Sequence, residues 1–225
     1  MLQNNLNRLM GERNLKISDL CRGTGLAKNT ISALSRGTTA GIQFDTFEKI
    51  CSFLQITPGE FFDYSPYVLE TKLQTKLSDL KENHFQYLAH ITNSVYVKDF
   101  ILNVTLSNPI GDPKFPRTDT SEFDLYVKID LLEDPKYSPE ELFSIIETFP
   151  SILKRKFYQQ LVEDIVTQLN NCTKKGSTLP VYDSLTEKIK QVTLTKHQHC
   201  VFDIFSNTPC HKLIDLEFGT DELTL

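Results

Sequence analysis

Residues 24–37 read Thr-Gly-Leu-Ala-Lys-Asn-Thr-Ile-Ser-Ala-Leu-Ser-Arg-Gly, and this run decides the fold of the N-terminal part of the chain. Gly25 predicts a tight turn, because glycine adopts a positive φ at no steric cost. Gly37 predicts the end of a helix that begins at about Ala27. With an advance of about 100° per residue, apolar residues fall on one side of that helix: Ala27, Ile31 and Leu34.

The opposite side of this helix carries groups that read base pairs. They are one amide, one hydroxyl, two cations and one methyl: Asn29, Ser32, Arg36, Lys28 and Ala33. In the major groove, Asn pairs with adenine, Lys or Arg pairs with guanine, and an Ala methyl contacts the thymine methyl. The helix is therefore predicted to enter a DNA groove.

Further helices are predicted around this one. The first ends before Asn14, and the second runs from about 17 to 23. The fourth is expected to begin with Asp45 as its N-cap and Glu48 at N3. Pro58 is expected at the first position of the fifth. Residues 1–64 are thus predicted to form an all-α unit.

The ordered features of residues 1–64 resemble the XRE-type helix-turn-helix family, which includes Cro and the phage repressors. The resemblance lies in these segments: Leu20-Cys21, Thr24-Gly25-Leu26, Thr30-Ile31-Ser32, Arg36-Gly37, and Phe47-Glu48-Lys49-Ile50 followed by Leu54, Ile56 and Thr57. It implies an all-α, five-helix, lambda-repressor-like DNA-binding domain. By this resemblance, Lys28, Asn29 and Ala33 hold base-contacting positions. Thr30 and Arg36 are then candidates for base or phosphate contacts.

The chain departs from the family pattern at three places. Lys16 and Ala27 stand where the second and third helices usually have a Ser or Thr cap, whose replacement typically costs about 1 kcal/mol. Ile17 stands where a phosphate-contacting Gln is frequent. The loop after the third helix has no charge, so DNA contacts from Thr38 or Gln43 would be neutral. We therefore expect weaker non-specific DNA binding than a basic repressor shows.

Charge is distributed unevenly along the chain. Residues 1–44 carry six basic and two acidic residues, whereas residues 65–225 carry 17 basic and 23 acidic residues, within a net charge of −5. An acidic body repels phosphate and would confine double-stranded DNA to the N-terminal unit. The sequence has no apolar run of about 18 residues, no N-terminal signal pattern and five sparse cysteines. These features predict a cytoplasmic protein without a membrane partner.

The C-terminal part is predicted to be an α+β domain. We expect a DNA-binding domain at 1–64, a linker and connecting helix at 65–91, and a dimerisation and effector domain at 92–225. The connecting helix is inferred from spaced leucines: Leu69, Leu73, Leu77, Leu80 and Leu88.

Hydrophobic alternation and helical periodicity predict the elements of that C-terminal domain. Strands are expected at 100–106, 123–131, near 192, at 201–205 and at 212–218. Helices are expected from Pro139, from 150 to about 171, and near 184–191.

Five side chains that can bind a transition metal lie near the C-terminus: His197, His199, Cys200, Cys210 and His211. Their spacing matches no structural zinc pattern, so a polar strand face with buried cysteines is the favoured interpretation, and neither a metal nor another cofactor is predicted. The sequence lacks the common nucleotide-binding, hydrolase and zincin motifs. Its Ala40-Gly41 bond lies inside the DNA-binding unit, which argues against a self-cleaving repressor. We predict no catalytic residues and no enzyme.

These features together predict a sequence-specific DNA-binding transcriptional regulator. We expect a repressor of a phage or other mobile element that binds an inverted-repeat operator as a homodimer. The C-terminal domain would dimerise it and receive a signal from an antirepressor protein or a small molecule. One alternative is an antitoxin-like or adaptor protein whose C-terminal domain binds a protein partner. A second is a metal-responsive regulator that uses the His/Cys cluster.

Overall fold

The computed structural model describes residues 2–74, 77, 80–108, 125–174, 176–195 and 198–217. Its Cα positions divide into two compact units. The N-terminal unit comprises Met1–Pro66 with Phe149–Lys154, and the C-terminal unit comprises Tyr67–Thr148 with Arg155–Leu225.

Residues 2–66 form five helices and two short strands. They are β1 (Leu2–Asn4), α1 (Leu6–Glu12), α2 (Ile17–Thr24), α3 (Lys28–Ser35), α4 (Phe44–Leu54), α5 (Pro58–Phe61) and β2 (Phe62–Tyr64). β1 and β2 are antiparallel, with Gln3 opposite Asp63. The all-α prediction for this unit was therefore wrong, because the segments that flank its helices pair as strands.

Apolar residues from all five helices form the core of the N-terminal unit. They include Leu6, Leu9, Met10, Leu20, Ile31, Leu34, Ile50, Leu54 and Phe61. The rings of Phe47, Phe61 and Phe62 contact one another with centroids 4.9–5.2 Å apart. This aromatic cluster fixes the short α5 against α4.

The beginnings of α4 and α5 test two predicted caps. α4 begins at Phe44, so Gln43 is its N-cap and the prediction of Asp45 as N-cap was wrong. Asp45 lies within the first turn and forms a 2.8 Å ion pair with Lys49. Pro58 opens α5 as predicted, and Glu60 Oε2 accepts a hydrogen bond from the backbone N–H of Thr57 at 2.7 Å.

The described residues of the C-terminal unit are built on one eight-stranded sheet. Its strands are β3 (Val68–Leu73), β4 (His84–Thr92), β5 (Val97–Asn108), β6 (Leu125–Leu131), β7 (Thr178–Asp183), β8 (Lys188–Thr193), β9 (His199–Ile204) and β10 (Lys212–Glu217). Two helices lie between β6 and β7 in the chain: α6 (Pro139–Thr148) and α7 (Ser151–Lys174).

The strand order in this sheet is β10-β9-β6-β5-β4-β3. β7 pairs with the end of β5, where Ser107 lies opposite Tyr182, and β8 pairs with β7. The β6–β9 and β5–β7 pairs are parallel, and the other pairs are antiparallel. A parallel pair requires a long crossover, and between β6 and β9 that crossover contains α6, α7 and the β7–β8 hairpin.

One face of the sheet is apolar and lies against α7. Alternate residues of β4 and β5 are buried on it: Phe85, Tyr87, Ala89 and Ile91, with Phe100, Leu102, Val104 and Leu106. Asp164 of α7 accepts hydrogen bonds from the hydroxyls of Tyr87 and, at 3.5 Å, Thr71. Burial and the Asp164 carboxylate raise the pKa of Tyr87 well above its usual value, so its hydroxyl stays protonated and donates.

Two of the predicted helices are strands in the structure. The connecting helix expected over 68–91 is β3 and β4, because the period-two pattern of Phe85, Tyr87, Ala89 and Ile91 governs β4. The helix expected near 184–191 is the β7–β8 hairpin. There, Asp183 Oδ1 accepts backbone N–H bonds from Leu185 and Thr186 at 2.9 and 3.0 Å, which fixes a turn.

The predicted fold class, an all-α domain followed by a C-terminal α+β domain, was wrong. A two-stranded sheet belongs to the N-terminal unit. Beyond it, the chain is dominated by the large sheet, whose first strand begins at Val68. The strands predicted near β5, β6, β9 and β10 and the helices predicted at α6 and α7 are confirmed. Phe123 and Phe218, predicted as strand ends, lie outside the described residues.

Candidate nucleic-acid interface

The turn between α2 and α3 is held by hydrogen bonds from both of its sides. Gly25 has a φ of +70°, as predicted, and its N–H donates to the Cys21 carbonyl at 3.0 Å. Thr24 Oγ1 donates to the Leu20 carbonyl at 2.5 Å and accepts from the Leu26 N–H at 3.3 Å. Thr24 therefore joins the end of α2 to the segment that leads into α3.

The two unusual helix starts are stabilised differently. At α2, the Asp19 carboxylate accepts the backbone N–H of Lys16 at 2.9 Å, so the third residue of the helix replaces part of the missing cap. At α3, Ala27 is the N-cap and supplies no side-chain cap bond. Packing holds α3 instead, because its Ile31 and Leu34 side chains are buried. Ala27 was expected on the buried side but is exposed.

The outer side of α3 presents the predicted DNA-contacting residues. Lys28, Asn29 and Arg36 are exposed, whereas Thr30, Ser32 and Ala33 are partly exposed. Within the described residues, the side chains of Lys28 and Asn29 form no hydrogen bond or ion pair with the protein. Their polar groups are therefore available to an external partner.

The end of α3 positions the remaining candidates. Gly37 has a φ of +67°, which confirms it as the residue that ends the helix. The N–H and hydroxyl of Thr38 both donate to the Ala33 carbonyl, at 3.1 and 3.3 Å, so Thr38 is fixed beside the helix end. Arg36 Nε donates to the Ser32 carbonyl at 3.3 Å. Gln43, the N-cap of α4, is exposed.

The positive charge of this unit is partly neutralised away from α3. Arg8 and Arg13 lie 2.7 and 3.8 Å from Glu12 carboxylate oxygens. Arg22 lies 3.9 Å from the Asp19 carboxylate. These exposed pairs contribute little to stability. Lys28 at the start of α3 and Arg36 at its end belong to none of them, so within the described part of the chain both remain unneutralised positive charges of the helix-turn-helix segment.

Sequence reasoning missed two features near this segment. Gly23 of α2 lies against the ring of Phe53 in α4, so closely that a Cβ at position 23 would overlap ring atoms. Phe44 is 89% exposed at the first turn of α4, where it lines a shallow groove with Phe47 and Cys51. An isolated glycine in a helical pattern signals a close approach, but its partner is not visible in the sequence.

Four members of the His/Cys cluster lie in the described part of the chain: His199, Cys200, Cys210 and His211. Within the described residues, no group of three or more His, Cys, Asp or Glu side chains could hold a metal ion. His199 lies 3.4 Å from Asp215, and His211 lies 2.9 Å from Asp203. Cys200 and Cys210 are buried. His197 lies outside the described residues.

The structure also bears on membrane association. Among the helices of the described residues, none has both the length and the apolar character needed to cross a membrane.

Comparison with known proteins identifies the same N-terminal segment. A family model described as the Cro/C1-type HTH DNA-binding domain matches residues 5–67. The "Uncharacterized HTH-type transcriptional regulator YozG" of Bacillus subtilis (strain 168) is 27% identical over 60 residues, which cover 27% of this chain and 71% of that protein. No solved structure matches the chain. The N-terminal part of this chain is therefore an XRE-type helix-turn-helix domain of the Cro/C1 kind, as its residues implied.

Proposed function

We propose that this protein is a sequence-specific transcriptional regulator that binds an inverted-repeat operator as a homodimer and represses genes of a phage or other mobile element. The observation that carries the proposal is the outer side of α3. It presents Lys28 and Asn29, both exposed and unpaired within the described residues, on a helix anchored by buried Ile31 and Leu34. A rigid helix with free base-reading groups is what major-groove recognition requires.

The homodimer follows from the size of the recognition element. α3 has eight residues, which span about 12 Å, so one copy reads only a few base pairs. Two copies on half-sites one helical turn apart, about 34 Å, would double the contacts. The inverted repeat is then the DNA symmetry that matches a two-fold protein dimer.

Repression and the mobile-element source are supported by the resemblance to Cro and the phage repressors. We propose no catalytic activity, no cofactor and a cytoplasmic location for the protein. A protein signal such as an antirepressor would act on the C-terminal unit, where apolar side chains are exposed at and beside hairpin turns: Val95 at 92%, Val97 at 72% and Leu185 at 65%.

The experiment is selection of genomic DNA fragments by the purified protein, followed by sequencing, at two salt concentrations. We expect one enriched motif with two-fold symmetry, whose affinity falls as salt rises. Binding without any motif would contradict sequence-specific regulation.

A substitution on α3 tests the proposed residues directly. Asn29→Ala should weaken binding to the selected operator by about 1–3 kcal/mol and relax specificity at one base position. Ser52→Ala, at an exposed position of α4 in the same unit, serves as the matched control and should leave affinity unchanged. An equal loss for Asn29→Ala on all DNA sequences would contradict base reading by Asn29.

A further inference from the structure

The outer edge of β3 carries hydrogen-bonding groups that its own sheet does not use. Among the described residues, β3 pairs with β4 alone, from Val68 opposite Thr92 to Leu73 opposite Tyr87. In the same register, the Gln74 N–H donates to the Gln86 carbonyl at 3.3 Å. Backbone groups of successive residues point to opposite sides of a strand. The N–H and C=O groups of Leu69, Thr71 and Leu73 therefore point away from β4.

We propose that this edge pairs antiparallel with β3 of a second copy of the chain, about a two-fold axis at Thr71. Residues 69–73 read Leu-Glu-Thr-Lys-Leu, a run that is chemically symmetric about its centre. A two-fold axis perpendicular to the sheet places Thr71 opposite itself, Leu69 opposite the partner's Leu73 and Glu70 opposite the partner's Lys72. The interface is isologous, as closed dimers require.

The backbone register fits this arrangement. The residues whose N–H and C=O groups point outwards are Leu69, Thr71 and Leu73. The two-fold axis places these residues opposite one another in the two copies. Each would donate its N–H and accept at its C=O across the junction, as in a hydrogen-bonded antiparallel pair. Pairing would also remove an open strand edge, which is otherwise a template for aggregation.

The side chains fit the same register. Glu70 and Lys72 are exposed, and within the described residues neither forms an ion pair, whereas across the junction each would face an opposite charge. Leu69 and Leu73 are only partly buried on the apolar face, and each would gain a leucine neighbour. Directly opposite charges stabilise antiparallel pairs, and like charges destabilise them.

The other end of the sheet lacks this symmetry. β10 is also an edge strand within the described residues. A two-fold axis at Ile214 would place Leu213 opposite the partner's Asp215, and an axis at Asp215 would bring two carboxylates together. Of these two edge strands, β3 therefore has the chemistry that suits pairing with its own copy.

This inference deepens the proposed function and rests on it for its biological meaning. The two copies of β3 would run in opposite directions, so their Val68 ends would lie about 20 Å apart along the strands. The first segment of the N-terminal unit, which contains the helix-turn-helix, ends at Pro66, two residues before Val68. The same two-fold axis would therefore relate the two DNA-binding units, as an inverted repeat requires.

Charge reversal on full-length protein without DNA tests the pairing by sedimentation equilibrium at low salt. Glu70→Lys and Lys72→Glu each create two like-charge contacts per dimer. Each should raise the dimer dissociation constant about 10-fold or more, and the double variant should return it to within about 3-fold of the original. Lys212→Glu on β10 is the matched control and should have no effect.

A backbone variant provides an independent test. Thr71→Pro removes an N–H that points away from β4, so the β3–β4 hydrogen bonds remain, while the centre of the junction loses its donors. We expect a monomer. A protein that is monomeric before substitution would overturn the proposal. So would a dimer that withstands all of these changes, or single charge variants that the double variant does not rescue.

DNA binding separates failure of this interface from failure of the proposed function. Variants that no longer dimerise should keep the original affinity for a single half-site and lose affinity for the full inverted repeat. Dimeric charge variants with intact operator binding would overturn the β3 junction alone. If the original protein binds no half-site, DNA regulation fails, and sedimentation still decides whether β3 pairs.

Discussion

The N-terminal and C-terminal units build their cores from different kinds of contact. In the N-terminal unit, short helices that follow one another in the chain bring together buried residues such as Leu20, Ile31 and Ile50. In the C-terminal unit, β6 lies beside β9, and Tyr126 hydrogen bonds to Asp203, 77 residues further along the chain. The first unit is therefore specified by local pattern and the second by pairings between distant segments.

Because of this difference, the role of a residue depends on its own helix in the N-terminal unit and on strand pairing in the C-terminal unit. In α3, buried and exposed residues alternate within one helical turn, so the same helix packs into the core and presents the residues proposed to contact DNA. In the sheet, the role of a strand depends on which strands pair with it. β5 lies inside the sheet, whereas β3 lies at an edge. Substitutions in the two units should accordingly differ in what they disturb.

The largest expected effects come from the two cores. Ile50 and Leu102 are both fully buried, so Ile50→Ala and Leu102→Ala should each lower the free energy of unfolding by about 2–5 kcal/mol. Urea unfolding measures the loss, and hydrogen exchange should show weakened protection in β4 and β6 for Leu102→Ala. Leu213→Ala, at a position 49% exposed on β10, is the control and should change stability by less than about 0.5 kcal/mol. A loss that small at Leu102 would contradict its place in the core.

The next effect tests a polar contact between distant segments. Asp203 is only 7% exposed and accepts hydrogen bonds from Tyr126 and His211. Burial raises the pKa of Asp203, but hydrogen bonds from these and other groups outweigh it and hold the pKa below its usual value. Because the folded state favours the ionised carboxylate, this stabilisation is present above pH 4 and is lost as pH falls through the lowered pKa.

Asp203→Asn should therefore reduce the free energy of unfolding by about 1.5–3 kcal/mol at pH 7. The difference between the variant and the original protein should shrink as pH falls below about 4. Urea titrations at a series of pH values measure it. A difference that is constant down to pH 2.5 would show that the carboxylate charge is not responsible.

A smaller effect tests close packing inside the N-terminal unit. Gly23→Ala would place a Cβ into the ring of Phe53, so we expect a loss of about 1–3 kcal/mol of unfolding free energy. Phe53→Leu made in the same protein should recover part of that loss, and a double-mutant cycle measures the coupling. Strictly additive effects of the two substitutions would contradict direct contact between Gly23 and Phe53.

The smallest effect uses one substitution at two glycines of the same unit. Both Gly25 and Gly11 have open space around them, but Gly25 has a φ of +70° whereas Gly11 lies within α1. Gly25→Ala should destabilise the unit by about 1–2 kcal/mol, and Gly11→Ala should stabilise it by about 0.5–1 kcal/mol. Thermal unfolding measures both. Shifts of the same sign would contradict the conformational explanation.

Local signals made much of the N-terminal unit predictable. The turn at Gly25, the end of α3 at Gly37 and the buried Ile31 and Leu34 follow from spacing and glycine chemistry, and the structure confirms them. Asp45 failed as a cap because the N-cap of α4 is Gln43, two residues earlier. The base contacts themselves remain predictions, since exposure of Lys28 and Asn29 permits them without testing them.

The sheet was less predictable because two periods coexist in its first strands. Leu69, Leu73 and Leu77 are spaced as on a helix, and this spacing concealed the alternation from Phe85 to Ile91 that β4 follows. The pairing of β6 with β9 and of β5 with β7 left no signal in a single sequence, because parallel partners share only general strand character.

The parallel β6–β9 pair also has a consequence for synthesis of the chain. β6 leaves the ribosome before α6, α7 and the β7–β8 hairpin, and its partner β9 follows several seconds later at about 5–20 residues per second. During that interval the central edge of the sheet has no partner, whereas the helix-turn-helix domain already has all of its residues. Premature termination between α7 and β9 would therefore release a chain with a complete DNA-binding domain and an unfinished, aggregation-prone sheet.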